Sequence, residues 1–176
     1  MGQVIIISGP PGAGKSTVAR RLAEISPYER AIHIHTDDFY AYIRKGYIDP
    51  WKVESNEQNI IVSKAMASCA ESYVEGGYEV LVDGIVGSWH LGSWIKIVQH
   101  GISVNYVILR PSLEITLSRN ANRGKVIKLN VITHMWNEFT ELGLHESHVI
   151  DTTCQNTEET VVEVRDMVNR GCLRLK

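Results

Sequence analysis

The stretch from residue 9 to residue 16 constrains the fold of this chain more than any other. It reads Gly-Pro-Pro-Gly-Ala-Gly-Lys-Ser, which fits the pattern of a glycine, four residues, and then Gly-Lys-Ser or Gly-Lys-Thr. The apolar run 4–7 predicts a buried strand before it, and residues 16–24 predict a helix with one apolar face after it. Strand, glycine-rich loop and helix in this order predict a phosphate-binding loop, and an ordinary glycine turn is much the weaker alternative.

Each part of this loop has a chemical task in that interpretation. Glycines let the backbone turn its N–H groups towards phosphate oxygens, and the helix N-terminus adds partial positive charge. Lys15 can reach the β- and γ-phosphates of a nucleotide, so it is a catalytic candidate as well as a binding residue. The Ser16 hydroxyl can bind Mg²⁺. We therefore expect ATP and Mg²⁺ as cofactors. The residues predicted to bind the nucleotide here are Gly9, Pro10, Pro11, Gly12, Ala13, Gly14, Lys15, Ser16 and Thr17.

Length and composition narrow the class of protein. The chain has 176 residues, which suits a single domain over 1–176, and its 44% apolar content is ordinary for a globular protein. A formal net charge of -2 gives no reason to expect nucleic acid or an anionic membrane surface as a partner. The sequence contains no apolar run long enough to predict a membrane span, and no signal peptide is evident. Three cysteines without paired spacing suit reduced thiols, so we expect a cytoplasmic protein.

Strand-like and helix-like segments alternate along the chain. The predicted strands are 4–7, 31–36, 78–82, 104–109 and 148–151. The predicted helices are 16–24, 55–73, 88–99, 111–122 and 125–142, and a last one is opened by the capping pair Asn156 and Glu159. This alternation predicts an α/β fold, in which helices cover both faces of a parallel sheet. Ligands of such sheets bind beyond the carboxyl ends of the strands.

The second predicted strand ends in two aspartates, Asp37 and Asp38. Strand alternation places His33, His35 and Asp37 on one face. A carboxylate at this position faces the phosphate loop and can accept the proton of an attacking hydroxyl, so Asp37 is the predicted catalytic residue. Capping of a following helix is the alternative, and it is the favoured role for Asp38.

The third predicted strand ends in Asp83 and Gly84. Apolar residues followed by an aspartate resemble a Walker B strand, whose carboxylate helps to hold the metal ion. We therefore expect Ser16 and Asp83 to bind Mg²⁺ together. A plain Asp-Gly turn is the alternative.

Arg119 and Arg123 lie four residues apart and would share a helix face. An Asn- and Gly-containing stretch follows Arg119, and this predicts a short lid around 119–127 whose arginines clamp phosphate oxygens. Arg123 is the stronger catalytic candidate, Arg119 is a nucleotide contact, and Arg110 ranks behind both. Basic residues at a solvated helix end are the alternative.

Histidines and aromatic residues leave more than one interpretation. His33 with His35, and His145 with His148, lack the partners of a zinc site, so packing or hydrogen bonding is favoured. The segment 39–51 is dense in aromatic residues and follows Asp37, which suits either an acceptor pocket or a helix packed into the core. Trp89, His90 and Trp94 could form an opposite wall of such a pocket.

Taken together, these motifs resemble those of the P-loop small-molecule kinases, with the gluconate kinase-like and chloramphenicol phosphotransferase-like groups nearest. The resemblance spans almost the whole chain and rests on the phosphate loop, Asp37, Asp83-Gly84, the lid arginines and the triplet 151–153. It implies the three-layer P-loop NTPase fold with a five-stranded parallel sheet in the order 2-3-1-4-5. It also implies that Asp37 is the base, that Arg123 lies near the triphosphate, and that residues 152–157 contact adenine. The aromatic segment 39–51 matches no substrate pattern of these groups.

The expected function is ATP-dependent transfer of the γ-phosphate to a hydroxyl of a small molecule, such as a sugar acid or an antibiotic. A nucleotide-binding switch protein is the first alternative, but neither a water-positioning group nor a partner surface is evident. A kinase acting on polynucleotide 5′ ends is the second, and the near-neutral charge counts against it. The sequence leaves the acceptor and the oligomeric state open.

Overall fold

The protein is built around one parallel β-sheet. A computed structural model describes residues 2–121 and 128–176. Its strands are β1 (Gln3–Ser8), β2 (Ala31–His35), β3 (Glu79–Asp83), β4 (Val104–Leu109) and β5 (Val149–Ile150). All five are parallel, in the order β2-β3-β1-β4-β5, and this confirms the predicted topology. The register pairs His35 with Asp83 and Ile7 with Asp83, so the ends of β1, β2 and β3 lie side by side.

Helices cover both faces of this sheet because each strand alternates its apolar side chains between two cores. The helices are α1 (Lys15–Glu24), α2 (Thr36–Ala41), α3 (Asn56–Glu75), α4 (Gly92–Gln99), α5 (Leu113–Ala121), α6 (Leu129–Asn137) and α7 (Thr157–Asn169). One core lies under α3 and α4, and the other lies under α1 and α7. Within the two described ranges, no helix combines the length and the apolar content that a membrane span requires.

The sheet has an edge that the sequence did not predict. β5 is only two residues long and pairs with the last two residues of β4. The lower part of that edge is covered instead by the C-terminal segment 173–175, which runs antiparallel to β4. Tyr106 donates its N–H to the carbonyl of Leu173 at 2.8 Å, and Leu175 donates to Val104 at 2.9 Å. This pairing shields the backbone groups that a short β5 would leave exposed.

Two helical regions also differ from expectation. The short helix α2 begins at Thr36, where the sequence predicted the end of a strand. The predicted helix 125–142 is observed as α6 over Leu129–Asn137, and its buried residue is Ile132, whereas Val131 is exposed. Residues 122–127 lie outside the described residues, so the predicted lid is described only as far as Ala121.

Candidate active site

The predicted phosphate loop joins the end of β1 to the first turn of α1. Gly12 adopts φ +85°, and a Cβ on it would lie 2.3 Å from Nδ2 of Asn120, so no other residue fits there without movement. Asn120 on α5 donates from Nδ2 to the carbonyls of Pro11, at 2.8 Å, and Thr116, at 2.9 Å. Lys15, the first residue of α1, donates from Nζ to the carbonyl of Pro10 at 2.9 Å. The loop therefore sits at a helix N-terminus and is supported from α5.

The two residues predicted to bind Mg²⁺ are in direct contact. Ser16 donates from Oγ to Oδ2 of Asp83 at 2.5 Å, because the register of β1 and β3 places Asp83 beside the loop. The side chain of Asp83 has no exposed surface. A hydroxyl and an ionised carboxylate are oxygen donors of the kind that Mg²⁺ prefers, so this pair fits the ion. Among the described residues, no group of three or more His, Cys, Asp or Glu side chains forms a further metal site.

Two histidines on β2 hold the other oxygen of Asp83. His33 donates from Nε2 to Oδ1 at 2.6 Å, and His35 donates from Nδ1 to the same atom at 3.0 Å. Burial alone would raise the pKa of Asp83. The hydrogen bonds from His33 and Ser16 and the nearby imidazoles outweigh burial and hold the pKa of Asp83 below its ordinary value. The buried carboxyl is therefore ionised.

His35 also links Asp83 to the predicted base, Asp37. Nε2 of His35 lies 3.4 Å from Oδ2 of Asp37, whose side chain is 81% exposed. Four side chains thus form a continuous chain of contacts in the order Ser16, Asp83, His35, Asp37. The capping role that was favoured for Asp38 is wrong, and it does not hold for Asp37 either. The residue at the N-cap of α2 is His35, which makes no side-chain capping bond, and both aspartates lie inside the first turn.

Gly84 explains how the ends of β2 and β3 come so close. A Cβ on Gly84 would lie 1.8 Å from Oγ1 of Thr36, the first residue of α2. The backbone of Gly84 is not in the left-handed region, so the glycine is needed for close approach and not for the turn considered from the sequence.

The aromatic segment after Asp37 divides between core and cavity. Phe39 packs against the core under α3 and α4, as one alternative predicted. A cavity of about 470 Å³ opens beside Asp37 and is lined by Asp37, Tyr40, Ala41, Ile43, Tyr47, Pro50 and Trp51. The proposed opposite wall is wrong for Trp94, which is fully buried in the core, while Trp89 remains half exposed.

The three candidate arginines do not form one cluster among the described residues. Arg119 on α5 donates from Nη2 to the carbonyl of Thr152 at 3.1 Å, which directs it to the loop before α7. Arg110 donates to the carbonyl of Phe139 at 2.7 Å, pairs with Glu146 at 2.5 Å, and lies in the lining of a second cavity. Arg123 lies outside the described residues. A smaller cavity of about 320 Å³ beyond β4 and β5 includes Trp136 and Thr153 in its lining.

The structure thus brings together the loop, Asp83 and Asp37, and it adds His33, His35 and Asn120. The sequence offered a signal for the two histidines, since alternation placed them on the face of Asp37, and their hydrogen bonding was the favoured role. It offered none for Asn120, whose role depends on how α5 crosses the loop.

Comparison with known proteins places this geometry in a family. A family model described as an AAA domain (AAA_33) matches residues 4–142. A putative adenylate kinase from Thermococcus kodakarensis is 25% identical over 177 residues, covering 97% of this chain and 88% of the relative.

Solved structures share the fold at low identity. A tunicamycin resistance protein from Deinococcus radiodurans superposes with a TM-score of 0.71 and 19% identity, and 96% of each chain is covered. A gluconokinase from Sinorhizobium meliloti superposes with a TM-score of 0.70 and 16% identity, covering 97% of this chain and 93% of its own. These likenesses confirm the P-loop NTPase fold that the motifs predicted.

Proposed function

This chain belongs to the AAA domain family, and from that premise we propose that it is an ATP-dependent phosphotransferase acting on a hydroxyl of a small molecule. The observation that carries the proposal is the chain of contacts from Ser16 through Asp83 and His35 to Asp37. It joins a group suited to the donor phosphate to a carboxylate suited to the acceptor. The names of the kinase relatives support the same reaction class.

The donor half consists of the phosphate loop and its metal ligands. Loop N–H groups and Lys15 hold the β- and γ-phosphates at the N-terminus of α1. Ser16 and Asp83 would hold Mg²⁺, which neutralises charge that develops on the phosphate oxygens. Arg119, directed to Thr152, would contact the nucleotide near residues 152–157, and Arg123 would close over the γ-phosphate as a lid residue.

The acceptor half begins at Asp37. The acceptor oxygen attacks the γ-phosphorus, the bond from that phosphorus to the bridging oxygen of ADP breaks, and the hydroxyl proton passes to the Asp37 carboxylate. His35 positions this carboxylate, since its ring lies between Asp37 and the buried Asp83. The products are ADP and a phosphate ester.

The substitution Asp37→Asn tests this assignment. An amide cannot accept the hydroxyl proton, so turnover should fall by about two orders of magnitude or more, the usual span for loss of a general base. ATP binding should be unchanged, because Asp37 is not part of the phosphate loop. The measurement is ADP release with acceptors from a screen of sugar acids, nucleosides, aminoglycosides and amphenicol-type alcohols, with Lys15→Ala as the blank.

Asp38→Asn is the matched control, since Asp38 is the next residue in the same first turn of α2. It should retain the parental rate. Phosphate transfer by Asp37→Asn at the parental rate would remove Asp37 from catalysis. Tight ATP binding without turnover of any acceptor would favour the switch protein instead.

A further inference from the structure

The cavity beside Asp37 is lined mainly by aromatic and aliphatic side chains. Asp37 is the one charged side chain among the described residues that line it. The rest of the lining is aromatic or aliphatic, and it includes Tyr40, Tyr47 and Trp51. A site for a sugar acid needs a cationic or hydrogen-bonding partner for the carboxylate of the substrate. The described lining instead carries the carboxylate of Asp37, whose charge is opposite to that of such a cation.

The nearby cations do not change this balance. Lys52 is held by Asp49 at 3.0 Å, and His35 is already placed between the carboxylates of Asp37 and Asp83. Arg44 and Lys45 are exposed and are absent from the described lining. Among the described residues that line the cavity, an anionic acceptor would therefore meet the field of Asp37 and no cation.

The apolar wall is fixed by hydrogen bonds from α3. Gln58 donates from Nε2 to the carbonyl of Ile48 at 2.6 Å and accepts from its N–H at 2.8 Å. Asn59 donates from Nδ2 to the carbonyl of Pro50 at 2.8 Å, and it accepts from the hydroxyl of Tyr40 at 3.1 Å. The segment that carries Tyr47, Pro50 and Trp51 is thus held through the backbone of Ile48 and Pro50.

Two aromatic residues of this wall are exposed to solvent. Trp51 is 75% exposed and Tyr47 is 47% exposed, although both residues line a cavity. An indole and a phenol held in this way present flat apolar faces to water, which a flat apolar ligand would cover.

We propose that the acceptor carries a flat apolar group, such as an aromatic ring, together with its hydroxyl, and carries no negative charge. The ring would lie against Tyr47 and Trp51 while the hydroxyl reaches Asp37. This inference rests on the proposed phosphotransferase function and names the class of its acceptor. It separates this site from one that serves a sugar acid.

Four compounds separate charge from apolarity. 1-Phenyl-1,2-ethanediol and mandelate share a phenyl ring and a secondary hydroxyl, but only mandelate is an anion; glucitol and gluconate form the same pair without a ring. We expect the phenyl diol to have the highest kcat/KM, and each anion to fall about tenfold or more below its neutral partner. The measurement is ADP release by the full chain with ATP and Mg²⁺.

Variants connect this preference to the wall. Trp51→Ala should raise KM for the phenyl diol about tenfold and leave KM for glucitol nearly unchanged, because only the ring contact is lost. Val53→Ala is the matched control, since Val53 is 91% exposed and does not line the cavity. Tyr47→Lys should raise kcat/KM for mandelate relative to the diol, whereas Tyr47→Leu should not. Every substituted residue is at least partly exposed, so these variants should fold.

The outcomes distinguish this inference from the function on which it rests. A preference for gluconate or mandelate would overturn the acceptor class and leave the phosphotransferase assignment standing. An unchanged diol KM in Trp51→Ala would also overturn it. Absence of turnover with all four compounds, despite intact ATP binding, would count against both.

Discussion

Asp83 is the residue through which the two halves of the site are connected. Its buried carboxylate accepts hydrogen bonds from Ser16 on α1 and from His33 and His35 on β2. A buried carboxylate without partners would be costly, so these donors compensate for its removal from water. Any substitution among the donors should therefore be visible in the pH dependence of stability.

His33→Ala tests this dependence. The pKa of Asp83 is lower in the folded protein than in the unfolded chain. Ionised Asp83 therefore stabilises the fold at pH values above the ordinary aspartate pKa, and this stabilisation is lost as the pH falls through the folded pKa. Removing His33 should raise that pKa towards the ordinary value and reduce the free energy of unfolding near neutral pH by about 1–2 kcal/mol. The acid-unfolding midpoint should move to higher pH, as measured by urea unfolding in metal-free buffer at several pH values.

His100→Ala provides the comparison for this experiment. His100 also contacts a carboxylate, since its Nδ1 lies 2.7 Å from Glu71, but its side chain is 63% exposed. Water screens such a pair, so its loss should leave the acid-unfolding midpoint in place. Equal shifts in both variants would mean that burial of Asp83 does not set the effect.

At the scale of elements, α7 is attached to the sheet at the end opposite the site. Glu79 on β3 is fully buried and pairs with Arg165 on α7 at 2.6 Å. Arg165 also donates to the carbonyl of Leu22 on α1 at 3.2 Å, and Gln3 donates to Glu79 at 2.9 Å. Four elements, β1, α1, β3 and α7, therefore meet at one ion pair.

Arg165→Met should destabilise the fold without altering the site. Among the described residues, it leaves the buried carboxylate of Glu79 with Gln3 as its one side-chain partner. Breaking a buried pair in this way costs about 3 kcal/mol or more. The double variant Glu79→Gln with Arg165→Met should recover part of the loss, because no buried charge remains. Urea unfolding measures both. Lower activity per folded molecule in Arg165→Met would contradict the separation between this pair and the site.

The elements that the sequence predicted well are those with enough length for a periodic pattern. α3 and α7 span many turns, and four of the strands contain five or six residues. α2 was expected only as an alternative, because six residues with two aspartates in the first turn carry no clear helical period. The segment 173–175 was missed because its pairing with β4 depends on how short β5 is, which only the assembled sheet decides.

At the scale of the whole molecule, the sequence predicted which strand ends would meet but not how they would be joined. The order 2-3-1-4-5 places β3 between β1 and β2, and this brings the loop, Asp83 and Asp37 together as expected. The bridging role of His35 and the support from Asn120 depend on register and on helix crossing. Neither is encoded in a local motif. The single-domain organisation over 1–176 and the lid around 119–127 stay predictions.

Because the loop joins the central strand β1 to α1 and contacts α5, nucleotide binding should stabilise the whole sheet. A ligand that binds only the folded state, at about one hundred times its dissociation constant, adds about 2.7 kcal/mol to the free energy of unfolding. Urea unfolding with ATP and Mg²⁺ should show this gain in the parental protein and lose most of it in Lys15→Ala. Lys64→Ala, on the exposed side of α3, should retain it. An equal gain in all three proteins would place nucleotide binding outside the phosphate loop, and with it the donor half of the proposed reaction.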